Sequence, residues 1–153
     1  ELSKKFKIEV TQQLSKGLDA NNYKYDYDKY NIKNRLFFFE EEFLCKNYKF
    51  DLAISRSGAS SLAELSHLGV PFIAIPFAHA TDNHQLLNAK KYFDLNCCWI
   101  LEEKNINSGD ICKLIDQIMV NKKNYLEKKN NLKKLNENKS WENINKIIKN
   151  IFK

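Results

Sequence analysis

Asp51 to Ala89 reads DLAISRSGASSLAELSHLGVPFIAIPFAHATDNHQLLNA, and this stretch decides the fold. Asp51-Leu-Ala-Ile-Ser55 is a short apolar run of strand length. Arg56-Ser57-Gly58-Ala59 is a turn with one glycine, and Ser60 to Leu68 has the spacing of a short helix. Gly69 just past the helix end and Pro71 two residues further stop it. Phe72-Ile-Ala-Ile-Pro76 is a second strand, a polar loop follows, and a second helix begins at about Asn83. Two strands joined by a helix of this length form a parallel crossover. In such sheets ligands lie at the carboxyl ends of the strands. Two loops leave those ends, Ser55–Ser60 and Phe77–His84, both rich in small and polar residues.

The helix between the two strands carries two stripes. Leu62, Leu65 and Leu68 make a core face; Ser60, Glu64 and His67 fall on another. A helix N-terminus presents free N–H groups and the positive end of a dipole, so it attracts phosphate. Glu64, one turn further in, has the chemistry to accept hydrogen bonds from ribose hydroxyls. Ser61 and Glu64 also fit the S-x-x-E spacing of a capping box, which gives the carboxylate a purely local task. Gln85 and Asn88 stand i, i+3 on the next helix, so their amides share a face. They are either sugar-hydroxyl ligands or two solvated amides in an asparagine-rich chain.

RSGASSLAEL, then GVPFIAIP, then DNHQLLNA, in this order and at this separation, resembles the donor-binding half of the MurG family of glycosyltransferases. The resemblance runs from about Phe6 to Phe152 and is strongest over residues 51–89. That family moves N-acetylglucosamine from UDP-N-acetylglucosamine (UDP-GlcNAc) onto the undecaprenyl-pyrophosphoryl-muramyl-pentapeptide of peptidoglycan synthesis. It implies a Rossmann-like α/β fold, a parallel sheet flanked by helices, forming the C-terminal half of a GT-B glycosyltransferase. It implies that Ser57, Gly58, Ala59 and Ser60 face the diphosphate and sugar, that Glu64 holds the ribose, and that Gln85 and Asn88 read the sugar. Phe39 and Glu40 fall where the family contacts uracil, largely through backbone groups. The acceptor site and the catalytic base belong to an N-terminal domain that this sequence lacks, and the family's glycine-rich phosphate loop falls upstream of Glu1. The resemblance therefore implies negligible transfer by this chain alone. It also implies the cytoplasmic side of the bacterial inner membrane, peripherally bound, as the working place.

Composition sets bounds on these expectations. The 153 residues suffice for one domain with a real core, taken here as residues 1–153, and 43% hydrophobic with 12% aromatic content marks a folded globular chain. No apolar run reaches the roughly 18 to 20 residues of a membrane span. The start, ELSKKFKIEV, has no signal-peptide cleavage pattern and no initiator methionine, which suggests an excised domain. The net charge of +6 suits nucleic acid, an anionic membrane surface or an anionic nucleotide. The lysines are spread among asparagines without an aromatic-interleaved patch, so nucleic acid fits worst. Cys45, Cys97, Cys98 and Cys112 form no C-x-x-C pair and do not match His67, His79 and His84 at zinc spacing. They read as buried or half-buried thiols in a reducing compartment.

Further out, Phe6–Val10 alternates as a first strand, Thr11–Leu18 reads as a loop or short helix, and Asp19–Asn34 as an exposed loop and helix with surface tyrosines. A base-stacking platform there lacks the glycine-rich pattern such platforms use. Arg35–Phe39 reads as a strand with a helix from Glu40 to about Tyr48, and Cys97–Leu101 as a fifth strand. Ser108 opens a helix on the face Ile111, Leu114, Ile115 and Ile118. Asn121–Leu135 is a lysine-rich amphipathic helix, and Trp141, Ile144, Ile148 and Ile151 define a last one. The lysine-rich last helix packs on its own protein or meets a membrane.

The sequence holds no G-x-S-x-G, H-E-x-x-H or Walker A pattern, and no D-x-D metal pair in the turns read as the sugar-diphosphate site, so neither a metal nor another cofactor is expected. Leaving-group stabilisation by backbone amides and a helix dipole fits the 57–60 turn. His79 is either a general base toward the acceptor hydroxyl or a residue of loop packing or donor contact. Two other functions remain open: a nucleotide-sugar hydrolase or other glycosyltransferase with the same donor half, and a non-catalytic donor-binding subunit that needs a membrane partner.

Overall fold

The structure, a computed structural model, describes residues 1–39, 49–79, 81–103 and 106–137. The chain divides into two compact units, Glu1–Asn47 and Tyr48–Lys153. The expected helix from Glu40 to Tyr48, the last helix around Trp141–Ile151, and Cys45 lie outside the described residues.

The first unit contains α1 (Leu2–Lys5), β1 (Glu9–Gln13), α2 (Ala20–Lys29) and β2 (Lys33–Phe37). β1 and β2 pair in parallel from Glu9 opposite Lys33 to Gln13 opposite Phe37. β1 starts later than the alternation of Phe6, Ile8 and Val10 suggests, and Thr11–Gln13 belong to the strand rather than to a loop or helix. The polar residues are tolerated because their amides are used. Gln12 Oε1 accepts from Tyr27 Oη at 2.6 Å, and Gln13 Nε2 donates to the Phe38 carbonyl at 3.2 Å. The tyrosine-rich segment is α2, capped by Asp19, whose carboxylate accepts from Asn21 N–H at 2.9 Å. Its Tyr25 and Tyr30 are exposed.

The second unit contains β3 (Ala53–Arg56), α3 (Ala59–His67), β4 (Phe72–Ile75), a 3₁₀ turn (Thr81–Asn83), α4 (His84–Asp94), β5 (Cys98–Ile100), α5 (Ser108–Val120) and α6 (Lys122–Glu137). The strands run parallel in the order β3-β4-β5. β4 is central, and its Phe72, Ile73 and Ala74 are fully buried, as a strand covered on both faces requires. Leu62 of α3, Ala89 and Tyr92 of α4, Cys97, Cys98 and Leu132 of α6 join Phe72 and Ala74 in one core. The Phe72 and Tyr92 rings meet edge to face, with centroids 5.5 Å apart. The five expected strands are present, and among the described residues they pair as one two-stranded and one three-stranded parallel sheet, one in each unit.

Three of the helices that lead into strands, α2, α3 and α4, end in the same way. Gly69, Asn31 and Asn96 each take a left-handed φ, between 52° and 65°, one residue past the cap. After α3, Gly69 N–H bonds Ser66 O and Val70 N–H bonds Leu65 O. After α2, Asn31 and Ile32 bond Asp28 and Tyr27, and after α4, Asn96 and Cys97 bond Phe93 and Tyr92. This is the Schellman pattern, which satisfies the last carbonyls and turns the chain back toward the sheet.

α6 fastens two of these ends in the second unit. Asn136 Nδ2 donates to the carbonyls of Ser66, at 2.6 Å, and His67, at 3.1 Å. Asn131 Nδ2 donates to Asn96 O, and Lys128 Nζ to Asn96 Oδ1 at 2.6 Å. Lys128 is only 4% exposed, its ammonium 4.9 Å from the centre of the Trp99 ring. Burial pulls its pKa down. Tyr125 Oη donates to Asp51 O at 2.9 Å, two residues before β3. The lysine- and asparagine-rich helix is therefore a clasp on the core, with its lysine charge largely on the solvent side.

Gly69 has open space around its α-carbon, so only conformation penalises a side chain there. Gly69→Ala should lower the unfolding free energy by about 1 kcal/mol and Gly69→Asn by less, as read from urea midpoints; equal stability of all three would contradict the Schellman ending. Asn96→Ala should cost more than Asn31→Ala, by about 1 kcal/mol or more, because Asn96 also accepts from buried Lys128.

Candidate active site: the carboxyl ends of β3, β4 and β5

β3 ends at Arg56, and Ser57 and Gly58 turn the chain into α3. Gly58 is the N-cap, in ordinary extended backbone, and makes no side-chain cap bond. The helix closes its first bond from Leu62 N–H to Gly58 O at 3.0 Å. The N–H groups of Ala59, Ser60 and Ser61 precede that bond and are open to an outside acceptor. Ala59 and Ser60 are exposed. A Cβ on Gly58 would meet nothing nearer than Ser61 Oγ at 3.7 Å. Neither backbone strain nor internal packing therefore demands glycine here; an unobstructed approach to the helix end is what its lack of a side chain provides.

Ser57 is fully buried and is held by α4 through both of its backbone groups. Gln85 Oε1 accepts from Ser57 N–H at 3.3 Å and from Phe77 N–H at 3.0 Å. Asn88 Nδ2 donates to Ser57 O at 3.1 Å. Gln85 and Asn88 are half-buried, so they are not the free solvated amides that composition allowed. Their bonds to the backbone leave Gln85 Nε2 as donor and Asn88 Oδ1 as acceptor for anything placed at the turn. The Ser57 hydroxyl is buried with no hydrogen-bond partner among the described residues.

Glu64 is exposed on α3, with Ser60 and His67 exposed on the same helix. The Ser61–Glu64 capping box does not form. Gly58 starts the helix early enough that Ser61 is already its third residue, with no cap position to fill. Glu64 makes no side-chain hydrogen bond or ion pair with any described residue, which leaves its carboxylate available. A capping box does form at α5, where Asn107 Oδ1 accepts from Asp110 N–H and Asp110 Oδ2 from Asn107 N–H, at 3.0 and 3.2 Å.

The loop after β4 is tied from a second side. Glu103, which follows β5, bonds the Arg56 guanidinium through Oε1 and accepts from Ala78 N–H through Oε2 at 2.8 Å. Arg56 lies over the Phe77 ring, 5.5 Å from its centroid, and the His79 ring meets Phe77 edge to face. The packing task for His79 is thus realised in the structure. The Arg56 bond, then the Ala78 amide, hold the Glu103 carboxyl below the usual glutamate range. Asp82 and Asn83 both take left-handed φ, 54° and 53°, where α4 begins. Such strain in non-glycine residues gathers at functional loops.

The structure thus brings Ser57, Gly58, Ala59, Ser60, Gln85 and Asn88 to one turn and places Glu64 further along α3. Phe39 belongs to the first unit. It is 71% exposed, just past β2, and with Phe38, Gln13, Leu14, Ser15 and Lys16 it lines an open hollow of about 790 Å³. Glu40 lies outside the described residues. Sequence reasoning singled out neither Gln13 and Lys16 at this hollow of the first unit nor, in the second unit, Glu103, because no motif marks them. No group of three or more His, Cys, Asp or Glu among the described residues could hold a metal ion.

The profile of the glycosyltransferase family 28 C-terminal domain matches residues 1–144. A Pelagibacter ubique protein named UDP-N-acetylglucosamine–N-acetylmuramyl-(pentapeptide) pyrophosphoryl-undecaprenol N-acetylglucosamine transferase is 40% identical over 97% of this chain and 42% of its own length. A Rickettsia canadensis protein of the same name is 40% identical over 74% of this chain and 31% of its own. The chain thus spans less than half the length of these relatives. The crystal structure of Acinetobacter baumannii MurG superposes with a TM-score of 0.70 at 24% identity, over 82% of this chain and 38% of that one, and shares its fold. With its parallel strands, its uncapped helix after β3 and a profile match over nearly its whole length, the chain belongs to the glycosyltransferase family 28 C-terminal domain family.

Proposed function

We propose that this chain is the donor half of a transferase that moves N-acetylglucosamine from UDP-GlcNAc to undecaprenyl-pyrophosphoryl-muramyl-pentapeptide in peptidoglycan synthesis. The observation that carries this reading is the junction of Ser57, Gln85 and Asn88 beside the uncapped start of α3. The relatives' name supplies the substrates.

In this reading the diphosphate sits at residues 57–60. The N–H groups of Ala59 and Ser60, with the positive end of the α3 dipole, stabilise the negative charge that grows on the departing UDP. Preorganised N–H groups do this without a metal ion. Glu64 accepts hydrogen bonds from the ribose hydroxyls. Gln85 Nε2 donates to one sugar oxygen and Asn88 Oδ1 accepts from another hydroxyl, so the pair reads the sugar with one bond of each polarity. Phe39 and Glu40 meet the uracil. The base that takes the acceptor's proton, and the lipid-acceptor site, belong to a separate N-terminal domain. Residues 1–153 make one donor-binding domain of the GT-B type.

The setting follows from the acceptor. A lipid-linked substrate places the enzyme peripherally on the cytoplasmic face of the bacterial inner membrane, where it serves cell-wall growth, cell shape and division. Among the described residues no helix is long and apolar enough to cross a membrane.

Calorimetric titration of UDP-GlcNAc into the full natural chain tests the donor assignment. Glu64→Ala should weaken binding by about 1 to 3 kcal/mol, the range for loss of a charged hydrogen-bond partner; unchanged affinity would remove Glu64 from the site. Gly58→Ala should cost no more than about 1 kcal/mol by the urea midpoint, the N-cap preference for glycine over alanine, because the fold has room for the methyl group. The same substitution should weaken UDP-GlcNAc at least about tenfold, about 1.4 kcal/mol, by blocking the approach to the helix end. A Gly58→Ala protein that binds the donor normally would contradict the placement of the diphosphate.

A further inference from the structure

Three strands of the second unit end side by side, and one side chain touches the chain leaving each of them. Glu103 follows β5, its Oε1 reaches Arg56 at the end of β3, and its Oε2 reaches Ala78 N–H in the loop after β4. We propose that Glu103 is a positioning residue for the donor's sugar: it holds the loop after β4 in the shape that Gln85 and Asn88 need to read that sugar. This rests on the donor reading given above.

The argument begins with two successive amides. Phe77 N–H is held by Gln85 Oε1 from α4, and Ala78 N–H by Glu103 Oε2. Both acceptors are also tied to the end of β3, Gln85 through Ser57 N–H and Glu103 through Arg56. Two neighbouring peptide planes are thereby fixed from two sides, and with them the path of the loop from Pro76 toward His79. Gln85 alone would leave the second plane free to turn.

The fold itself has little use for this bridge. The Glu103 carboxylate and the Arg56 guanidinium lie at the surface, 31% and 52% exposed, away from the core formed by Leu62, Phe72 and Tyr92. Exposed ion pairs of this kind contribute little to stability. What the bridge does is local. It orients Arg56 over Phe77, and Phe77 in turn carries His79. It also engages the guanidinium nearest the diphosphate turn. Glu103 thus acts on the site by shape, and the open N–H groups of α3 are left to attract the anion. The bond to Arg56 lowers a carboxyl pKa that already lies well below neutral, so the carboxylate side of the bridge is ionised under working conditions.

The expected behaviour separates the sugar half of the ligand from the nucleotide half. In the full natural chain, Glu103→Ala should raise KM for UDP-GlcNAc about tenfold, the loss of one charge-assisted hydrogen bond. kcat and the inhibition constant of UDP, which lacks the sugar, should stay within about twofold, a difference near 0.4 kcal/mol. Glu103→Gln, whose amide oxygen can still accept from Ala78 N–H, should restore most of the KM. Thermal midpoints of all three proteins should agree. Loss of UDP and UDP-GlcNAc in equal measure would overturn the proposal, as would a glutamine variant no better than alanine or an unchanged KM. Amide hydrogen exchange of the ligand-free protein is a second arm that needs no donor. Protection of Phe77–His79 should fall in Glu103→Ala and hold in Glu103→Gln; unchanged protection in the alanine variant would overturn the bracing role. Should the parent protein bind no UDP-GlcNAc, the donor reading fails, while the exchange result still decides whether Glu103 holds the loop.

Discussion

The mouth of the three-stranded sheet depends on one carboxamide oxygen. Gln85 Oε1 accepts from Ser57 N–H and Phe77 N–H, backbone groups at the ends of two adjacent strands. Ser57 is buried, so its amide cannot turn to water, and an orphaned buried N–H costs about 1 to 3 kcal/mol. Asn88, one turn along α4, takes the Ser57 carbonyl, so both polar backbone groups of that residue are satisfied from one helix face. α4 therefore cannot move without opening the turn that starts α3. In the proposed donor site, the helix that would present the sugar-reading amides also builds the turn that would hold the diphosphate, and the two are set in register by the same pair of side chains.

What holds α4 in place lies at its other end. The αL residue Asn96 closes the helix, and α6 fastens that residue through Lys128 and Asn131, while Asn136 of α6 fastens the end of α3. The two helices that supply the site are thus anchored at their C-termini by one helix and present their N-termini at the carboxyl ends of the strands. This division suits a donor domain. Rigidity comes from the buried side, with Leu62, Phe72, Tyr92 and Leu132 in contact, and the exposed side carries backbone donors and short polar side chains.

Much of this was legible in residues 51–89. Gly69 and Pro71 marked the end of α3, the apolar run at Phe72 marked the next strand, and the leucine stripe marked the core face. These signals are local, and local chemistry decides them. The strand edges in the first unit were not legible in the same way, because Gln12 and Gln13 read as loop until Tyr27 and Phe38 supply partners. Asn31 and Asn96 were hidden in an asparagine-rich chain, where an αL asparagine looks like any other. The bonds of Gln85 and Asn88 to the backbone need the positions of Ser57 and Phe77, which no spacing rule provides. The Ser61–Glu64 spacing misled because a helix can start from a glycine without any side-chain cap.

The central claim is that the α3 N-terminus and the Gln85–Asn88 face form one donor site. A crystal structure of the full natural chain with UDP-GlcNAc tests it most directly. The account predicts the diphosphate within hydrogen-bond reach of the Ala59 and Ser60 N–H groups. It predicts Gln85 Oε1 still on Ser57 and Phe77, with Nε2 turned to a sugar oxygen and Asn88 Oδ1 accepting from a sugar hydroxyl. A diphosphate bound away from that helix end, or a Gln85 carboxamide that leaves the backbone to meet the sugar through its oxygen, would contradict it.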